Sequence, residues 1–157
     1  MPVNRATSEA LALCDEADRV SVAERSAVLE RGVARAEEAV RTDPADAVAH
    51  FAVFCTLGKR LQMNWGGGGV FAALREIGRV RQEIDIALSL APDYPAALAA
   101  KGEMLIELPG LLGGDAEEGE RLLRRAAAID PGDRRIRVML AEAVKIVGEG
   151  DEAIVSR

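Results

Sequence analysis

Apolar positions along this 157-residue chain recur at helical spacing, and no stretch alternates apolar with polar residues between hairpin turns, so strands are not expected. The helical runs end in a repeated way. AEEAVRTDPAD at 36–46, EIDIALSLAPDYP at 83–95 and LLRRAAAIDPGD at 122–133 each set an alanine five residues before a proline, at Ala39/Pro44, Ala87/Pro92 and Ala126/Pro131. Proline cannot continue a helix and disfavours helical geometry in the residue before it, and Asp46, Asp93 and Asp133 are placed to cap the helix that follows. The alanine, at that distance from the helix end, falls on the face turned to a neighbouring helix, where a small side chain permits close approach.

Other starts are equally legible. Ser21 with Glu24 and Asp115 with Glu118 have the capping-box spacing, and Thr7 or Ser8 opens the first helix. The pattern predicts helices near 7–18, 22–42, 46–64, 70–91, 95–108, 115–130 and 133–147, with an eighth beginning at 151. Short turns between consecutive helices imply antiparallel pairs, here 7–44, 46–92, 95–131 and 133–157, in a single all-α domain. Each pair must bury its apolar face on the next, which makes an α-solenoid.

Composition sharpens this picture. Apolar residues are 49% of the chain but aromatics only 3%, and alanine fills 28 positions, so the core is built from small and aliphatic side chains on closely spaced helices. A net charge of −6 disfavours nucleic acid as a partner, because neutralising phosphates takes a concentrated basic surface. Arg121, Arg124, Arg125, Arg134, Arg135 and Arg137 are interleaved with Glu117, Glu118, Glu120, Asp130 and Asp133, the pattern of a solvated salt-bridging face. Cys14 and Cys55 lack a CxxC partner and read as buried free thiols. No run reaches the ~18 uninterrupted apolar residues of a membrane span, and no apolar leader opens the chain. A cytoplasmic location is expected, or a periplasmic one if a leader has been removed.

The repeated segments resemble the tetratricopeptide repeat, or TPR. The best match runs from Leu98, Gly102 and Leu105 on a first helix to Gly119, Leu123, Ala126 and Pro131 on a second, with Gly119 where the family usually has alanine. Gly32, Ala36, Ala39 and Pro44 fit the second helix of an earlier, degenerate repeat; Leu140, Ala141, Val144 and Ala153 fit a later one. In the repeat from Asp46, Phe54 replaces a small residue and His50 stands where an aromatic is favoured. Pro44 and Pro92 are 48 residues apart and Pro92 and Pro131 are 39 apart. Against a repeat of ~34 residues, the excess falls at NWGGGGVF, 64–71, and at PGLLGG, 109–114. A long insert with a GGD motif is similar to a bacterial subgroup of the family, distantly related to eukaryotic regulators of microtubule dynamics and to the repeat component of some binding-protein-dependent transporters.

The resemblance implies a right-handed superhelix of three to four repeats and a non-enzymatic scaffold that binds a protein or peptide on its concave face. The groove positions it implies are Phe51, Cys55 and Lys59, then Glu103 and Glu107, then Arg135, Glu142 and Lys145. The Lys/Asn/Arg clamp of chaperone-binding members is not reproduced. The alternative is a transport-associated or small-ligand-binding repeat protein.

Candidate chemistry is sparse. The glycine run at 66–69 follows a helix rather than a strand and is followed by Val70, Phe71 and Ala72, not by Lys-Ser/Thr, so it reads as a joint rather than a phosphate cradle. Gly66 is placed to end the preceding helix, and Trp65 either packs that turn or offers a contact to a partner. His50, the sole histidine, has no nucleophile or second ligand in reach of its helix face and reads as structural. No metal or other cofactor is expected. Val138, Leu140, Val144 and Val147 would be partly uncovered at the last repeat, which predicts homo-oligomerisation or a piece of a longer protein.

Overall fold

The computed structural model describes residues 4–64 and 69–155, and every long element among them is a helix. The helices are α1 Arg5–Glu16, α2 Val22–Thr42, α3 Ala47–Met63, α4 Val70–Leu90, α5 Pro95–Glu107, α6 Ala116–Ile129 and α7 Arg134–Val155, with a 3-10 turn at Gly110–Leu112. They form an all-helical, TPR-like repeat fold. Two compact units divide the chain after Pro92.

In the first unit α1 packs on α2, α2 on α3 and α3 on α4, and α1 also lies along α3. The core contains Leu29, Val53 and Ile84, and small residues hold the helices close: Ala36, Ala39, Ala49, Ala52 and Ala87 are fully buried. Ala6, Ala39 and Ala49 bring α1, α2 and α3 together, and Ala17, Val28 and Leu29 pack with Leu13, Val20 and Met63. Buried Gly32 completes this seam, because a methyl group there would stand 2.9 Å from Thr56 Cγ2.

In the second unit α5 packs on α6, α6 on α7, and α5 touches α7. Leu98, Leu105, Leu122, Leu123, Ile136 and Ala126 are buried. The α5–α6 crossing is tighter than alanine allows. A Cβ on Gly102 would lie 2.7 Å from the Gly119 carbonyl oxygen, and one on Gly119 would lie 2.6 Å from the Gly102 oxygen and 2.6 Å from Ile106 Cγ1. Glycine rather than alanine at position 119 therefore has a steric cause.

The Gly113-Gly114-Asp115 motif is accounted for in the same way. Gly113 takes φ +85° to leave the 3-10 turn, a Cβ on Gly114 would collide with the Leu108 carbonyl, and Asp115 caps α6 through Glu118 N at 3.0 Å. Only half of the expected capping box forms. Glu118 turns to Arg121 at 2.6 Å, and Asp115 N donates to the Leu105 carbonyl instead at 2.8 Å.

Three other expectations shift. Asn4, not Thr7 or Ser8, caps α1, accepting from Ala6 N at 3.0 Å, while Thr7 is buried within the helix. Asp93 pairs with Arg125 rather than capping α5, whose first residue is Pro95. The eighth helix is not separate, because α7 runs unbroken through Gly148 and Gly150. Each mid-helix glycine costs about 1 kcal/mol, which weakens a helix without ending it when no proline follows. Asp46 and Asp133 do cap α3 and α7, accepting from Val48 N at 2.9 Å and Arg135 N at 2.7 Å. Ser21 with Glu24 closes the box at α2, where Ser21 N and Oγ donate to the Glu24 carboxylate at 3.2 and 2.6 Å.

The glycine geometry gives a two-sided prediction. Gly119→Ala should lower unfolding free energy in urea by about 1–3 kcal/mol through overpacking. Gly78→Ala, in α4 where a Cβ meets nothing within 4 Å, should raise it by about 0.5–1 kcal/mol. Equal effects from the two would contradict the tight α5–α6 crossing.

Candidate functional site

The expected groove residues fall into two sets. In the first unit Phe51, Cys55 and Lys59 follow one another at four-residue steps along α3 and are all half-buried. Phe51 stacks on Phe54 with ring centroids 6.2 Å apart and planes 20° from parallel, a pairing that places two of the chain's three phenylalanines on α3. In the second unit Glu103 and Glu107 are exposed one turn apart on α5, and Arg135, Glu142 and Lys145 are exposed on α7. Trp65 and Gly66 lie outside the described residues.

The largest correction concerns the cysteines. Cys14 and Cys55 are not free thiols; they form a disulfide across α1 and α3, with Cα atoms 6.3 Å apart. Closing a loop of 41 residues contributes about 4 kcal/mol in the chain-entropy account. The cystine belongs to a ladder. Thr7 Oγ1 donates to Asp46 Oδ2 at 3.1 Å near the start of both helices, and Lys59 Nζ donates to the Cys14 carbonyl at 2.8 Å and to Asp18 Oδ2 at 2.6 Å near their ends. Pairs offset by 39, 41 and 41 residues mean that α1 and α3 run parallel in one register.

Lys59 and Arg25 also complete the carboxyl end of α1. Arg25 Nε donates to the Ala17 carbonyl at 2.8 Å, so two cations meet carbonyls that have no partner within the helix. Two of the expected groove positions, Cys55 and Lys59, are thus engaged in holding α1.

His50 is 5% exposed and has both ring nitrogens occupied. Nε2 donates to the Pro44 carbonyl at 3.0 Å, and Nδ1 lies 2.7 Å from Glu83 Oε2, so one proton is shared between imidazole and carboxylate. The ring bridges the α2–α3 turn to α4 and leaves no nitrogen free for a metal or for proton abstraction. Glu83, 33 residues away, was not legible as its partner, because helical spacing says nothing of contacts between helices.

Charged pairs cover the exposed faces. Arg60 meets Glu76, Arg79 meets Glu37 and Arg124 meets Glu120. A hydrogen bond from Arg121 holds the Glu118 carboxyl below its ordinary value, one from Arg5 does so for Glu9, and the Ser21 hydroxyl does so for Glu24. Among the described residues no group of three or more His, Cys, Asp or Glu could hold a metal ion. No described helix is long and apolar enough to cross a membrane.

Comparison with known proteins reaches the fold. No protein-family model matches the chain, and no curated protein matches it in sequence. Among solved structures it is similar to the first TPR of Spaghetti (RPAP3) bound to the HSP90 peptide SRMEEVD. The TM-score is 0.57 at 12% identity, covering 90% of this chain and 95% of that one.

The His50 bridge is testable. His50→Phe should cost about 1–3 kcal/mol in urea unfolding by stranding Glu83 and the Pro44 carbonyl. Adding Glu83→Leu should recover part of the loss, since the stranded carboxylate is then gone. A double variant no better than the single one would argue against the pairing.

Proposed function

We propose that this chain is a non-enzymatic scaffold that binds a peptide segment of a partner protein along the first helices of its repeats. One observation carries the reading: a structure of the same fold, similar over 90% of this chain, is bound to a peptide. Within each unit the helices are preformed, so affinity there comes from a few anchors rather than from rearrangement.

The anchors we assign are Phe51 on α3, Glu103 and Glu107 on α5, and Arg135, Glu142 and Lys145 on α7. Cys55 and Lys59 shape the surface through their ties to α1. With acidic residues on α5, and without the clamp residues of chaperone-binding relatives, we read the partner as something other than an acidic chaperone tail. The glycine-rich insert and the Gly113-Gly114-Asp115 turn support the bacterial long-insert subgroup. The cystine favours the periplasmic of the two locations considered, because disulfides persist where thiols are oxidised. Val138, Val144 and Ile146, exposed on α7, support self-association.

Selection from a random peptide display library against the folded chain, followed by fluorescence anisotropy, tests this reading. Enriched peptides should lose about tenfold or more in affinity with Phe51→Ala or with Glu103→Lys/Glu107→Lys, the cost of one lost anchor. No enrichment, or affinities unchanged in both variants, would refute it.

A further inference from the structure

Helix α1 is attached to its unit by chemistry more than by bulk. The side chains it buries are Ala6, Thr7, Ala10 and Cys14, and of its larger apolar residues Leu13 packs only partly buried. Helices α2, α3 and α4 bury Val28, Leu29, Val33, Val53, Leu57, Ile77, Val80 and Ile84. At 12 residues α1 is also close to the length at which a helix alone is marginal in water. What remains is the Cys14–Cys55 bond, polar ties from Thr7, Arg25 and Lys59, and the surface ion pairs of Arg35 with Glu9 and Arg31 with Glu16.

We propose that this disulfide is a redox-operated latch: a dithiol reductant frees α1 from α3 while α2, α3 and α4 stay folded. Cys14 is 1% exposed and Cys55 is half-buried, so an incoming thiolate reaches Cys55 first. It bonds to Cys55 Sγ, the protein S–S bond breaks, and Cys14 departs as a thiolate and takes a proton. The second thiol of the reductant, as its thiolate, then attacks its own mixed-disulfide sulfur and expels Cys55, which is protonated in turn. The protein pair gains two electrons and the reductant leaves as its disulfide. Lys59, bonded to the Cys14 carbonyl, keeps a cation close to the departing thiolate.

The small seam makes release local. Against α1 the core offers Ala39 and Ala49, and Val28 and Leu29 where Leu13 rests on them, so its departure bares part of α2 while Val53, Leu57, Ile77, Val80 and Ile84 of α3 and α4 stay packed. Cys55 and Lys59 then no longer hold α1, and two oxidation states present two different faces of α3. The latch does not depend on peptide binding, and its test does not use a peptide.

Hydrogen exchange of the full chain, oxidised and after treatment with dithiothreitol, decides it, with reduction verified by alkylation of both cysteines. Amides of α1 should exchange about tenfold faster or more once reduced, because local opening of α1 no longer has a covalent tie to α3 to oppose it. Amides of α3 and α4 should keep their protection. Unchanged α1 protection, or loss of protection in α1, α3 and α4 together, would overturn the latch. The Cys14→Ser/Cys55→Ser variant should reproduce the reduced pattern without reductant, and α1 protection like that of the oxidised chain would equally overturn it. If that variant does not fold, exchange of the reduced wild type alone decides between these outcomes.

Discussion

Close approach of helices through residues with little or no side chain is the constraint on which the rest depends. Ala39, Ala87 and Ala126, each five residues before a proline, are fully buried, and the Gly102–Gly119 crossing leaves no room for a methyl group. A chain with 3% aromatic residues cannot fill wide gaps between helices, so it brings the backbones together instead. Alanine also has the highest helix propensity, so the residues that allow the approach stabilise the helices that make it.

A repeat built this way fixes register between helices far apart in sequence. Thr7 with Asp46, Cys14 with Cys55 and Asp18 with Lys59 keep an offset of 39–41 residues from α1 to α3, and Arg79 with Glu37 shows 42 between α4 and α2. Corresponding helices of the two hairpins are thus displaced by one structural repeat. That repeat is longer than the ~34 residues of a tetratricopeptide repeat. Covalent, ionic and hydrogen-bonded links all lie along the same seam, which ties the register to chemistry as well as to packing.

What was legible in the sequence follows from this division. Helix ends could be read because prolines, glycines and capping acids act locally: Pro44, Pro92 and Pro131 each lie between helices, and Asp46 and Asp133 cap. The cystine, the His50–Glu83 bridge and the Thr7–Asp46 bond were not legible, since each joins two helices whose relative placement is a tertiary fact. Thr7 looked like a cap because threonine suits that place, yet Asn4 took it and freed Thr7 to meet Asp46. Gly148 and Gly150 looked like a break and were carried within α7. For the candidate site, positions on a helix face could be assigned from spacing, but not which of them were already engaged, as Cys55 and Lys59 are.

Urea unfolding of a set of alanine-to-leucine variants tests the packing constraint most directly. Ala39→Leu and Ala126→Leu insert bulk into fully buried crossings, whereas Ala34→Leu and Ala128→Leu place it on exposed positions of the same helices. The buried pair should each lose about 1–3 kcal/mol, and the exposed pair should stay within about 0.5 kcal/mol of wild type. Equal stability across all four would contradict the account, because it would mean that the crossings have room to spare.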